Sequence, residues 1–65
     1  MSLTTRIREY RIRDRMSQEE LAQRVGVRRE TIGNLENGKY NPSLKLAMDI
    51  AQVFGCTVED LFTFT

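Results

Sequence analysis

A chain of 65 residues with no histidine and a single cysteine can form neither an internal disulfide nor an ordinary zinc site. Hydrophobic residues make up 40% and charged residues 29%, which fits one small globular domain near the lower size limit for independent folding. No apolar run nears the roughly 20 residues of a membrane span and the N-terminus lacks a signal-peptide core, so a reduced, cytoplasmic setting is expected. The net charge of +1 hides an asymmetry: residues 1–29 hold eight arginines against four carboxylates, and residues 40–65 hold one lysine against three. That division hints at a polyanion on one side.

The first predicted helix covers Thr4–Arg15, with Leu3, Ile7 and Tyr10 at the spacing of one buried face. Ile12 falls off that stripe and should be partly exposed. Arg11 is placed to brace the core side against a glutamate of the second helix. Arg6, Arg8, Arg13 and Arg15 read as solubilising charge or as partners of Glu9 and Asp14. The second helix opens at Ser17, where SQEE has the form of a capping box. Leu21, Ala22 and Val25 form its inner face, and Gly26 ends it in a left-handed turn that glycine adopts without strain. The third helix runs from about Arg28 to Glu36, with Ile32 and Leu35 inward, and NGKYNP closes it. Ser43 caps a fourth helix, Leu44–Phe54, which Gly55 stops. Thr57 caps a short fifth, Val58–Phe62, and the closing TFT has strand propensity. Met16, Met48 and Cys56 read as core residues.

Helices two and three are joined by about three residues around a glycine, and the small Ala22 stands where a second helix must come close. Two helices so joined cross steeply, as in the helix-turn-helix unit. The stretches MSQEELAQRVGV, RRETIGNLENGK, NPSLKLAMDIAQVFG and TVEDLF resemble, in order and spacing, successive parts of the lambda-repressor- and Cro-like regulators of the XRE family. The resemblance covers about residues 6–62. It implies an all-α, five-helix domain over 1–65, helix-turn-helix at 17–36, with a possible short C-terminal strand and the third helix in the DNA major groove.

The residue chemistry agrees with that expectation. Once core positions are removed, Arg28, Arg29, Glu30 and Asn34 remain as candidates for base contacts. Arginine grips guanine with two donors, asparagine suits adenine, and a carboxylate accepts from the cytosine amino group. Gly33 leaves room for the backbone to approach a base pair. Gln18, Thr31, Asn37, Lys39, Tyr40 and Asn41 are the expected phosphate contacts, which set register and not sequence. The chain departs from the family at Arg28, where a capping serine is common, forfeiting about 1 kcal/mol, and at Glu30, where glutamine is common.

These residues lead to a sequence-specific regulator of double-stranded DNA, a repressor acting as a homodimer on a palindromic operator. One module buries only about 600–1,000 Å² on DNA, thin for specificity. A second apolar stripe on helix four, Leu46, Ile50 and Val53, together with Phe62 and Phe64, is the expected dimer contact, beyond a core stripe of Leu44, Ala47, Ala51 and Phe54. The FTFT tail either pairs as a strand with its symmetry mate or frays as a terminus. An antitoxin-type autoregulator, or a module that binds an unidentified protein partner, would use the same fold. With no nucleophile–base pair and no metal constellation, neither an enzyme nor a cofactor nor a metal is expected.

Overall fold

The first element is a strand, not a helix. A computed structural model describes residues 2–65, in which Leu3–Thr5 form β1 and the first helix, α1, spans only Ile7–Arg13. Thr4 and Thr5 are β-branched and favour extended backbone. Their partner is β2, Phe62–Phe64, antiparallel in the register Leu3↔Phe64, Thr4↔Thr63, Thr5↔Phe62. Reciprocal backbone bonds between Ser2 and Thr65, both 2.9 Å, extend the ladder. The strand character of the tail is therefore satisfied within one chain, and the tail neither waits for a symmetry mate nor frays.

Four helices lie between: α2 (Gln18–Val25), α3 (Arg29–Glu36), α4 (Leu44–Phe54) and α5 (Val58–Leu61). Short polar side chains fix their starts. The Ser17 hydroxyl accepts from the Glu20 N–H at 3.0 Å while the Glu20 carboxylate accepts from the Ser17 N–H at 3.1 Å. Thr57 and Asp60 repeat that reciprocal box on α5, and Ser43 caps α4 by accepting from the Leu46 N–H at 3.1 Å. Of these four, α3 alone starts without such help, because its first flanking residue is Arg28, and α1 after Arg6 is likewise uncapped.

Each helix sends at least one large residue to the centre. Ile7, Leu21, Ile32, Leu35, Ile50 and Leu61 are all less than 2% exposed, and Ala22 and Ala51 let α2 approach its neighbours closely. Two expectations for α4 need correction. Leu46 and Ile50 are core residues, 8% and 0% exposed, so a single chain already consumes two members of the expected dimer stripe. Leu44 and Met48, expected inside, are 71% and 55% exposed. At about 100° per residue, the buried sector centres on Leu46, Ala47, Ile50, Ala51 and Phe54. Leu44 and Met48 then fall at one border of it and Val53 at the other. Met16 is buried, Ile12 is exposed as expected, and Cys56 is half-buried against the core. No helix among the described residues is long and apolar enough to cross a membrane.

Candidate nucleic-acid interface

The turn from α2 to α3 is set by one residue. Gly26 has φ 74° and ψ 33°, and a Cβ there would meet nothing within 4 Å, so only backbone conformation restricts the position. The N–H groups of Gly26 and Val27 both donate to the Ala22 carbonyl, the latter at 3.0 Å, a Schellman-type closure. Val27 packs half-buried against the core, so α3 leaves the turn with Ile32 and Leu35 already facing inward.

A buried carboxylate then ties α3 to the rest of the molecule. Glu36, its side chain 7% exposed, meets Arg11 of α1 in a two-pronged pair: Nε to Oε2 at 2.6 Å and Nη2 to Oε1 at 3.0 Å. Arg11 Nη1 also donates to the Met16 carbonyl at 2.9 Å, and Gln18 Nε2 donates to Glu36 Oε1 at 3.1 Å. A carboxylate at a helix C-terminus opposes the helix dipole, and the guanidinium offsets that cost. Arg11 does brace the core, but its partner is Glu36 of α3 and not a glutamate of α2. Glu19 and Glu20 are exposed, and Glu20 serves its own cap.

The opposite face of α3 is open. Arg28, Arg29, Glu30, Asn34 and Asn37 are exposed, and Thr31 and Gly33 are half-buried. Glu30 and Asn34 are four residues apart and Asn37 three further, so they form one ridge with Gly33 beside it. No ion pair among the described residues engages Arg28, Arg29, Glu30 or Lys39. Two cations thus stand solvated at the N-terminal end of α3, and a carboxylate and an amide stand solvated along this ridge. Gln18 flanks it: the Cβ that Gly33 lacks would come within 3.8 Å of the Gln18 amide.

Past α3 the chain turns at Gly38, φ 69°, with the Lys39 N–H bonded to the Asn34 carbonyl at 2.9 Å. Lys39, Tyr40 and Asn41 are exposed, and together with Asn37 they line an open cleft that Ser2 and Leu3 complete. The structure thus brings every expected DNA contact onto α3 or its two flanks. Gln18 is the exception in kind, since its amide N–H is already engaged by Glu36.

This arrangement has relatives. A family model described as helix-turn-helix matches residues 7–61. An HTH-type transcriptional regulator of Archaeoglobus fulgidus is 64% identical over 62 residues, 95% of this chain and 87% of the relative. The chain belongs to the XRE-type helix-turn-helix family. Among solved structures, this helix-turn-helix protein is similar to the restriction-modification controller protein C.AhdI from Aeromonas hydrophila, with TM-score 0.77 and 33% identity over 85% of this chain and 83% of that one. It also matches the clp gene regulator ClgR from Corynebacterium glutamicum, with TM-score 0.76 and 26% identity over 83% of this chain and 57% of that longer chain. DNA-binding transcription regulation is the function that membership carries.

Sequence reasoning missed two features of the helix-turn-helix protein's site. One is Glu36, the hub beneath α3; its only signal was a carboxylate on the inner side of a helix end, an alternative partner for Arg11 to the glutamates of α2. The other is the approach of Ser2 and Leu3 to the cleft, which needs the β1–β2 pairing. Away from the site, Arg6 pairs with Glu9 and Arg13 with Asp14, both at 2.8 Å, as expected. Arg13 further donates to the Phe54 carbonyl at the end of α4, at 3.1 Å, and lies 4.7 Å over the Tyr10 ring. Its hydrogen bond holds the Asp14 carboxyl below the usual carboxylate range.

Proposed function

We propose that this helix-turn-helix protein is a cytoplasmic, sequence-specific repressor that binds double-stranded DNA as a homodimer on a palindromic operator. The observation that carries the reading is the solvated edge of α3, with Arg28, Arg29, Glu30 and Asn34 uncommitted to other side chains, above a backbone pinned by Arg11 and Glu36. Arg28 and Arg29, at the N-terminal end of α3, are assigned to guanine edges, Asn34 to adenine and Glu30 to a cytosine amino group. Thr31, Asn37, Lys39, Tyr40 and Asn41 hold phosphates. Gln18 does so from α2, with its orientation set by Glu36.

The subunit contact is moved from its first position. Leu46 and Ile50 are buried, and Val53 borders a cleft among Gln23, Arg24, Lys45 and Gln52. Phe62 and Phe64 remain, and with Leu44, Ala47 and Val58 they line an apolar cleft. Exposed Leu44 and Phe64 on one face suit a second copy better than water does. Sequencing duplexes selected from a random pool tests this reading. Enriched sites should be inverted repeats with half-site centres one turn, about 34 Å, apart. Enrichment of single half-sites would remove the dimer, and no enrichment at any salt concentration would remove the DNA reading. A protein-binding module would differ in keeping its affinity as salt rises.

A further inference from the structure

The terminal hairpin touches the DNA side of the molecule. A Cβ on Gly38 would collide with the Leu3 carbonyl of β1, so this loop and this strand are in backbone contact. On its other side β1 is held by β2: Leu3 is in register with Phe64, and Ser2 exchanges two bonds with Thr65. Lys39, Tyr40 and Asn41 have no side-chain hydrogen bond among the described residues. What fixes their backbone is the Lys39 N–H on the Asn34 carbonyl at one end and the packing of Gly38 on Leu3. The cleft they share with Ser2 has no carboxylate in its lining. Its side chains offer an ammonium, a phenol, amides and a hydroxyl, all donors suited to phosphate oxygens.

The geometry points to the hairpin as a working part of the DNA-backbone clamp: β1 sets the loop that carries Lys39, Tyr40 and Asn41, and Ser2 contributes a further phosphate contact. The inference rests on the reading of that loop as phosphate-binding, and it adds an element outside the helix-turn-helix to the interface. Dependence on β1 follows from the contact itself. If Leu3 shifts, Gly38 loses its stop and the cleft that the three donors line with Ser2 loses its shape.

The test compares Gly38→Ala, Gly55→Ala and Ser2→Ala by fluorescence anisotropy on a selected duplex at several salt concentrations, with light scattering and circular dichroism on each. Gly38 and Gly55 both have left-handed backbone, φ 69° and 67°, but a Cβ at Gly55 meets nothing within 4 Å. Gly55→Ala therefore controls for strain alone. Gly38→Ala should bind about ten-fold more weakly, with a salt slope shallower by about one and unchanged base preference. Ser2→Ala should bind about three-fold more weakly at an unchanged slope, the loss of one hydrogen bond. Parental affinity in both variants, or a Gly38→Ala defect that alters base preference, overturns the inference. If Gly38→Ala does not fold, Ser2→Ala decides it. A parent protein that binds no duplex overturns the underlying DNA reading instead.

Discussion

Glu36 shows how one side chain determines whether α3 is a rigid reader. Two of its bonds run to Arg11 and one to Gln18, with little solvent access to replace them. Glu36→Ala strands a largely buried guanidinium, and urea unfolding should show a loss of about 3–5 kcal/mol. Replacing both partners, as Arg11→Met with Glu36→Leu, should recover most of that loss, because a buried ion pair is often no better than apolar packing. Thr5 makes the opposite case. Its hydroxyl is buried with no hydrogen-bond partner, so Thr5→Val should stabilise by about 1 kcal/mol, read as a higher urea midpoint at an unchanged slope. A lower midpoint would mean that the hydroxyl has a partner in solution.

Among the elements, α3 and α5 carry opposite lessons about helix starts. Arg28 flanks α3 with extended backbone and no capping bond. Arg28→Ser should raise stability by about 1 kcal/mol and, if the arginine reads a base, weaken DNA binding in the same protein. On α5, the Thr57 N–H holds the Asp60 carboxyl below its ordinary value of 3.8. A carboxyl depressed by folding stabilises above that ordinary value, and the contribution is lost as pH falls through the lower, folded one. The parent should therefore exceed Asp60→Asn in urea midpoint at pH 7, and the difference should shrink as pH falls below the ordinary carboxylate range. Most of these elements could be read beforehand, since caps, glycine stops and 3.6-residue periodicity are local. The box at Ser17, the turns at Gly26, Gly38 and Gly55, and the full extent of α4 were all legible. Strand β1 was not, because the pairing partners of Thr4 and Thr5 are Thr63 and Phe62, almost the whole chain away. The partner of Arg11 was hidden for the same reason, lying 25 residues on. The exposure of Leu44 and Met48 turned on which border of an apolar helix its neighbours leave open, which periodicity does not encode.

For the whole molecule, the central claim is that the open edge of α3 distinguishes base pairs, with the apolar α4–α5–β2 face joining two copies. Phe64→Lys should place a charge on that face while leaving the core intact, since Phe64 is 51% exposed in one chain. The light-scattering mass should halve; an unchanged mass would put the contact elsewhere. The most direct test of the claim is anisotropy on paired duplexes, one selected and one scrambled, with the parent, Arg29→Ala and Asn34→Ala. Each well-formed contact to a base is worth about 1–3 kcal/mol of discrimination. Both variants, folded by circular dichroism, should lose affinity for the selected duplex by about ten-fold or more. Asn34→Ala should leave affinity for the scrambled duplex nearly unaltered, and Arg29→Ala should lower it only by the loss of one charge. Variants that keep the full preference of the parent for the selected duplex would contradict the assignment of α3 as the reader.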